Sequence, residues 1–501
     1  MEVLILENEY WWGGIVDIGM EMPWDGSSVC TIDPSTMGKD QRSPLFLSSQ
    51  GRCIWSEKPF VMKFNKGVIE IDSRVHLETG GHNLKGAHAI GAERLFAGKG
   101  IPDERFFYVP QYNTWIELMY NQNQKQILEY ARSIVDNGMK PGILMIDEGW
   151  SEDYGVYDFY PGRFDNPKAM IEELHELGFS VMLWVTPHIS PDSSAFRSLR
   201  DTDILLRDQD GEFVIREWWN GFSCVLDLSN PISVEWFHGK LRALQEKYDI
   251  DGFKFDGGDP YMYRGSDRSA QMQLPLDCTA DYARFASEYP FNELRAVWNM
   301  GGRPLVCRLQ DKVHTWGKDK GLGALIPNMI TQGLLGYYYG CPDMVGGGDY
   351  SSFTGDKSLD EELYIRWLEA SLLCPMVQFS IAPWRILSKE HYRIVKDLIA
   401  FRERYTPYIL ELAENAARNH EPILRHLAYE FPDQGYEREQ SMYMLGSRYL
   451  VVPMLEKGRR TRTVILPKGQ WKESDGTQYT GGMPVELEFP LEKVYVFEKM
   501  A

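Results

Sequence analysis

The chain has 501 residues, of which 43% are hydrophobic and 25% are charged. These shares are ordinary for a folded globular protein and exclude disorder as its main state. The 72 acidic and 53 basic residues give a net charge of −19, which repels phosphate backbones and anionic lipid. We therefore expect no nucleic-acid partner and no membrane partner.

The chain up to about residue 105 has the pattern of short β-strands. Segments such as PLFLSSQGRCIW and FVMKFNKGVIEIDSRVHL alternate in polarity or contain short apolar runs, and Gly, Asn, Asp and Lys separate them. This pattern predicts an N-terminal β-sandwich domain over residues 1–105.

From residue 106 to about 400, strand and helix patterns alternate. The strand-like segments are GILMIDEGW, SVMLWVTPHI, VLDLSN and DGFKFDGG, and helices are predicted near 123–137, 168–177 and 232–248. Such alternation predicts an α/β fold with a parallel sheet, and the length suits a (β/α)8 TIM barrel over residues 106–400. After a helical segment near 389–412 the β pattern returns, which predicts a C-terminal all-β domain over 401–501.

The number and spacing of the cysteines indicate in which cellular compartment the protein is expected. The odd number of cysteines and the lack of a C-x-x-C pair indicate neither a zinc site nor a disulfide framework; the cysteines are at 30, 53, 224, 278, 307, 341 and 374. Dispersed, reduced thiols predict a cytoplasmic protein, and the N-terminus lacks the pattern of a signal peptide. The uncharged segment 321–342 contains Pro327 and several glycines, so we expect a buried helix, turn and strand there rather than a membrane span.

Polar side chains gather where the predicted barrel strands end. Alternation along DGFKFDGG directs Lys254 and Asp256 to one side, and the same reasoning directs Asp147, Trp184 and His188 inward. Any one of these carboxylates is equally well explained by an ion pair or a strand-end cap. Several inward acids beside tryptophan favour function, because unpaired buried charge costs several kcal/mol.

Two further clusters lie at Arg308 with Trp316-Gly-Lys-Asp319, and at Asp343. Carboxylates with aromatic walls suit glycoside hydrolysis, in which one carboxylate attacks or stabilises the anomeric carbon and a second donates a proton to the leaving oxygen. The ten histidines are scattered, and there is no P-loop, dinucleotide fingerprint or nucleophile elbow. We therefore expect no metal and no cofactor.

The motifs resemble glycoside hydrolase family 31, and within it the branch of the myogenesis-regulating glycosidase and bacterial α-galactosidases. The resemblance is carried in order by PQYNTW, MIDEGW, LWVTPHIS, EWWNG, DGFKFDGGD, RLQDKVHTWGKDKG, GCPDMVGG and LVVPMLEKGRRTRTVILP, between residues 110 and 467. It implies that Asp256 is the nucleophile and Asp319 the general acid/base. It also implies substrate contacts from Trp115, Asp147, Trp184, Trp219, Lys254, Trp298, Arg308, Trp316 and Asp343.

Some of these assignments have open alternatives. Trp298 is equally well explained as a core residue, and since Trp218 and Trp219 are adjacent, only one of them should face a sugar if the segment is extended. The sequence departs from the family pattern at Lys318, which precedes the acid where a glycine is usual, and at Glu148, where the branch tends to have a second aspartate. Both departures concern substrate choice.

The resemblance implies a retaining exo-α-glycosidase, with α-galactoside as the expected substrate. In this mechanism Lys254 and Arg308 are expected to keep Asp256 ionised, and apolar surroundings are expected to raise the pKa of Asp319. The alternatives are an α-glucosidase or α-xylosidase, or a catalytically silent sugar-binding protein on the same fold. A small oligosaccharide or glycoside is the expected partner, and self-association into a homo-oligomer stays open.

Overall fold

The computed structural model describes residues 1–72, 74–354 and 359–500. The chain forms two compact units. The first unit combines Met1–Tyr108, Asn299–Gln378 and Ala382–Ala501, and the second combines Val109–Trp298 with Phe379–Ile381.

The second unit is built on a parallel sheet whose strands alternate with helices. Its strands pair in the order Gln111–Asn113, Ile143–Ile146, Ser180–Val185, Gly252–Phe255 and Asn292–Leu294. Every residue of these strands is buried, which explains why they are nearly continuous apolar runs. The helices are Trp115–Leu118, Gln124–Asp136, Pro167–Glu176, Ser194–Leu199, Pro231–Tyr248 and Pro275–Ala286, with a 3-10 turn at Pro260–Met262 and a short strand at Val297–Trp298.

The three helices predicted in this unit are confirmed, with ends shifted by about one residue. Each begins at an asparagine cap, because the side chains of Asn123, Asn166 and Asn230 accept hydrogen bonds from backbone N–H groups of the first turn. Pro167 and Pro231 occupy the first helical position, where a missing N–H costs nothing. Local capping chemistry therefore fixes where these helices start.

Only the first residue of the segment VLDLSN lies in a strand, and the second, Leu226, forms an isolated β-bridge with Leu205. Strand Gly221–Val225 ends at that first residue, and the carboxylate of Asp227 then accepts the Ser229 N–H in a turn. This strand pairs antiparallel with Arg216–Trp218 and His188–Ile189 in a separate three-stranded sheet. The expectation of another barrel strand here is wrong, and so is the use of strand alternation to place His188.

Residues 1–108 of the first unit contain two antiparallel sheets. One has the order Glu2–Leu4, Val68–Glu70, Met62–Asn65 and Val29–Ile32, and the other has the order Trp11–Ile15, Gln41–Ser48, Cys53–Trp55 and His76–Glu78. The ring of Trp24 packs on Phe46 of one sheet and Phe64 of the other, with centroids 6.1 and 5.2 Å away. This arrangement agrees with the predicted sandwich. A 3-10 helix at Val16–Glu21 and helices Leu84–Leu95 and Arg105–Tyr108 complete the region.

Further parallel strands and helices follow in the first unit. Val306–Arg308 pairs parallel with Tyr339–Cys341, and the buried helix Leu322–Leu334 connects them. The helix, turn and strand expected for 321–342 are thereby confirmed. In the described part of the chain, no helix combines the length and apolar character needed to cross a membrane. The remaining elements are a 3-10 turn at Tyr350–Ser352 and helices Glu361–Ser371 and Pro383–Ile386, while the short strand Gln378–Phe379 lies at the border of the two units.

The helical segment predicted near 389–412 consists of two helices, Lys389–Arg402 and Thr406–Asn419. The second begins with Pro407 in its first turn, where proline is well tolerated but prevents continuation of the first helix. The predicted domain border at residue 400 falls inside the first of these helices.

The C-terminal region is all-β apart from one short helix, Leu427–Glu430, as predicted. Its main sheet has the order Leu424–Arg425, Tyr443–Leu445, Tyr449–Val452, Tyr495–Lys499, Gln470–Glu473 and Gln478–Thr480, and Thr461–Ile465 pairs with Pro484–Glu488. Its core is built around Trp471, Phe489 and Phe497, which are completely buried.

Candidate active site

The strand ends of the second unit bring together a group of charged side chains, which we call the strand-end cluster: Asp147, Glu148, Lys254, Asp256 and Arg295. Lys254 lies in strand Gly252–Phe255, and Asp147 directly follows strand Ile143–Ile146. The Lys254 Nζ is 2.7 Å from Asp147 Oδ2, and the two side chains are only 5% and 4% exposed. The strand alternation read from the sequence is thus confirmed for this pair.

Asp256 follows the same strand as Lys254, and several groups hold its carboxylate. The indole N–H of Trp184 donates to Asp256 Oδ2 at 3.1 Å, and the N–H of Gly257 donates to Oδ1 at 2.9 Å. The Arg295 guanidinium is 3.5 Å from Oδ1. This carboxylate therefore has a fixed orientation beside a cation, which suits an ionised nucleophile.

Arg295 is a site residue that the sequence analysis missed. It makes two hydrogen bonds to Asp259, at 2.8 and 2.7 Å, while its second terminal nitrogen also approaches Asp256. Arg295 directly follows strand Asn292–Leu294, just as Asp256 follows strand Gly252–Phe255. Treating NELRAVW as one more strand end would have found it.

Lys254 and Arg308 were both expected to keep Asp256 ionised. Lys254 pairs with Asp147, and Arg308 is 2.8 Å from both Asp343 and Asp311 in the first unit. The expectation did not name Arg295, because sequence spacing shows which strand end a residue occupies but not which neighbour its long side chain reaches.

Glu148 is the second missed residue, although it stands next to Asp147. Its Oε1 accepts hydrogen bonds from the Tyr154 hydroxyl at 2.5 Å and from the Asn220 amide, and its Oε2 accepts the Trp219 indole N–H at 3.3 Å. Burial, helped by the negative charges of Asp147 and Asp256, raises the pKa of Glu148 to about 8. This carboxyl is therefore mainly protonated at neutral pH.

Tryptophans surround the same strand ends. The rings of Trp184 and Trp218 are nearly parallel with centroids 6.5 Å apart, and Trp218 also stacks on His188 at 4.1 Å. Trp218 is 5% exposed and Trp219 is 42% exposed, so Trp219 is the member of the adjacent pair that offers a ring face to solvent. Trp115 is buried as well and packs edge-on against Tyr120.

Trp298, the other tryptophan predicted in this unit, is also buried. Its burial suits a core residue as well as a site wall, so the alternative raised for it stays open.

In the first unit, Arg308 and Asp343 form a buried pair. The Asp343 Oδ2 also accepts the backbone N–H groups of Lys312 and Gly348, at 2.7 and 2.8 Å. Burial raises the pKa of Asp343 to about 6 even though Arg308 opposes the shift. Asp343 has a positive φ of 74°. The structure brings these two predicted residues together, with Asp343 bracing the surrounding backbone.

The segment Trp316–Asp319, which we call the acid loop, is partly exposed. The Trp316 indole N–H donates to Asp360 at 3.1 Å, while the Asp319 side chain is exposed at the surface. The apolar surroundings expected around Asp319 are therefore wrong for this structure. Among the described residues, no group of three or more His, Cys, Asp or Glu side chains is arranged to hold a metal ion.

Comparison with known families gives the fold and the family. Residues 110–412 match the model of the glycosyl hydrolases family 31 TIM-barrel domain, and residues 420–500 match the model of the family 31 C-terminal domain. The chain belongs to glycoside hydrolase family 31. The predicted fold class, a TIM barrel with a β-rich N-terminal region and a C-terminal β domain, is confirmed.

Individual relatives agree with this family. The mouse myogenesis-regulating glycosidase is 31% identical over 82% of this chain and 59% of its own length, and a 1,3-alpha-isomaltosidase of Kribbella flavida is 28% identical over 67% and 50%. The chain spans about half the length of such curated relatives. A Flavobacterium johnsoniae family 31 dextranase structure, complexed with glucose, superposes with a TM-score of 0.85 at 19% identity, covering all of this chain and 66% of the other.

Proposed function

We propose that this protein is a retaining exo-α-glycosidase in which Asp256 is the nucleophile. The observation that carries the proposal is the fixed Asp256 carboxylate, which accepts the Trp184 N–H and has the Arg295 guanidinium 3.5 Å away. Hydrogen bonds and a nearby cation keep a carboxylate ionised and aimed, which a nucleophile at an anomeric carbon needs. Family membership supports the reaction class.

The reaction has two steps. An oxygen of Asp256 forms a bond to the anomeric carbon while the bond to the leaving oxygen breaks, and protonated Asp319 transfers its proton to that oxygen. Asp319, now a carboxylate, removes a proton from water, whose oxygen attacks the anomeric carbon and displaces Asp256. Two inversions release the sugar with its α configuration retained.

Recognition of the sugar rests on the groups around the nucleophile. The paired Asp147 and Lys254 offer an acceptor and a donor for ring hydroxyls, and Trp184 and Trp219 offer aromatic faces. We also propose substrate contacts for Arg308, Trp316 and Asp343, which belong to the same unit as Asp319. The substrate class is a small oligosaccharide or glycoside, and a cytoplasmic location and self-association remain predictions.

We propose an α-galactoside as the terminal sugar, supported by the sequence motifs that this chain shares with α-galactosidases of the family. An α-glucoside is the second candidate, because relatives include the 1,3-alpha-isomaltosidase and a human neutral alpha-glucosidase C that is 27% identical. An alpha-xylosidase of Lactiplantibacillus pentosus is 23% identical, so a xyloside belongs in the same comparison.

The test is a hydrolysis screen of nitrophenyl α-galactoside, α-glucoside and α-xyloside, with the β-anomers as controls. We expect turnover of the α-galactoside to exceed that of the other sugars, with no turnover of any β-anomer. Faster turnover of the α-glucoside or α-xyloside would reassign the sugar and leave the mechanism intact. Failure to hydrolyse any α-glycoside, in a folded protein, would contradict the proposed activity.

A further inference from the structure

The two-stranded hairpin Arg216–Trp218 and Gly221–Val225 places Trp219 and Asn220 at its tip. Both tip side chains contact the same carboxyl group, that of Glu148 at the end of strand Ile143–Ile146. Trp219 is largely exposed for a tryptophan, whereas Glu148 is buried. The indole N–H of the exposed Trp219 ring is thus hydrogen-bonded to the buried carboxyl group of Glu148, a member of the strand-end cluster.

A second contact fixes the face of the same ring. The Arg295 guanidinium lies over Trp219, with its central carbon 5.8 Å from the ring centroid. Arg295 is itself held by Asp259 and approaches Asp256. The ring of Trp219 is therefore connected through Glu148 to one end of the cluster and through Arg295 to the nucleophile.

We propose that Glu148 is a positioning residue that holds Trp219 as a stacking wall for a sugar ring beside Asp256. Arg295 covers one face of the indole, so the sugar stacks on the face that solvent reaches. Tyr154 and Asn220 hold Glu148 in place by donating hydrogen bonds to its other oxygen. We call the hydrogen bond between Glu148 and Trp219 the latch. This inference rests on the proposed function and deepens it by assigning the residue that fixes substrate affinity.

Glutamine is the sharpest replacement for Glu148, because its amide has the same shape. The amide oxygen still accepts from Tyr154 and Asn220, and the amide nitrogen then faces the Trp219 N–H, donor against donor. At pH 6, which is below the Glu148 pKa of about 8, both side chains are uncharged. E148Q therefore removes the tie to Trp219 without changing the charge beside Asp256.

The experiment measures kcat and KM at pH 6 for wild type, E148Q, W219A and E148Q/W219A, with the best nitrophenyl α-glycoside from the screen. We expect W219A to raise KM by roughly threefold to tenfold with little change in kcat, because the sugar loses the aromatic face on which it stacks. E148Q should raise KM by up to the same factor, and the double variant should equal W219A. KM effects that multiply in the double variant would overturn the inference, because Glu148 would then act without Trp219.

A second measurement reads the latch in the absence of turnover. Subtracting the fluorescence of W219A from that of wild type isolates the emission of Trp219, and subtracting the double variant from E148Q isolates it without the latch. We expect acrylamide to quench the Trp219 emission at least about twice as strongly in the E148Q background, because an untied ring is more accessible. Equal quenching in both backgrounds would refute the latch even if every glycoside were hydrolysed. Stronger quenching without any hydrolysis would support the latch and reject the proposed function.

Discussion

The strand-end cluster and the acid loop carry the two proposed catalytic carboxylates in very different settings. Asp256 accepts hydrogen bonds from Trp184 and Gly257, next to an arginine that Asp259 anchors. Asp319 lies exposed on a loop. A nucleophile must be aimed before the reaction starts, whereas an acid/base must exchange protons with water in each cycle, so rigid and open settings suit the two roles.

The largest expected effect comes from removing the charge of the rigid carboxylate. Asp256→Asn should lower kcat by about 10⁴-fold or more, because an amide cannot form the glycosyl-enzyme bond. The matched control is Asp249→Asn, which removes a carboxylate that is almost fully exposed at a left-handed helix end where asparagine fits. The control should keep wild-type kcat. An Asp256→Asn protein within tenfold of wild type, free of contaminating glycosidase, would remove the assignment.

The acid loop predicts an effect that depends on the leaving group. Asp319→Ala should abolish hydrolysis of natural disaccharides while a dinitrophenyl glycoside, whose leaving group needs no proton, still forms the glycosyl-enzyme. Azide should then restore turnover, since it attacks without deprotonation. Steady-state rates with and without azide check this.

Equal losses for good and poor leaving groups, with no azide rescue, would mean that Asp319 only pairs with Lys318 or Lys320. Asp343 would then be the next candidate for the acid. In the structure, the Asp343 carboxylate pairs with Arg308 and accepts hydrogen bonds from two backbone N–H groups. Asp343→Ala should therefore destabilise the protein, and the dependence of the rate on the leaving group should stay unchanged.

The difference between the two regions also shows what the sequence could predict. Lys254, Asp147 and Trp184 were placed correctly, because they lie on or directly after buried strands, where side-chain direction alternates by geometry. The surroundings of Asp319 were not predicted correctly, because the conformation of a loop has no such periodicity. Partners of long side chains were also missed: Arg295 reaches Asp256, and Glu148 turns to the hairpin tip. Those contacts depend on rotamers and on a hairpin whose register the sequence does not specify.

The buried pair in the rigid region should matter for stability more than any contact of the acid loop. Lys254→Met removes the cation and leaves Asp147 buried without its partner, which should cost about 3–5 kcal/mol of unfolding free energy. Lys254→Met/Asp147→Asn should recover much of that loss. Urea unfolding of the two variants and wild type measures it. A double variant less stable than Lys254→Met would show that the pair is not the cause.

The last expected effect is a gradual one, a pH dependence of stability from Glu148. Burial raises the pKa of this carboxyl from 4.5 to about 8, so the folded protein keeps a proton that the unfolded chain has released. Its stabilising contribution is complete below pH 4.5 and is lost as pH rises to 8, at about 1.4 kcal/mol per pH unit.

Glu148→Gln lacks this titration. The unfolding free energy of wild type relative to Glu148→Gln should therefore fall between pH 5 and pH 8. Glu369, whose pKa burial also raises to about 8, is present in both proteins and cancels in the comparison. A difference that stays constant across this range would mean that Glu148 is ionised in the folded protein.

The central claim, that Asp256 forms a covalent intermediate with an α-glycoside, is tested most directly by proton NMR of the first product formed. Two displacements at the anomeric carbon must yield the α-anomer first, with the β-anomer appearing only at the rate of spontaneous mutarotation. The α-anomer in the earliest spectra is the result we predict. The β-anomer appearing first would show a single displacement by water, and Asp256 would then be no nucleophile.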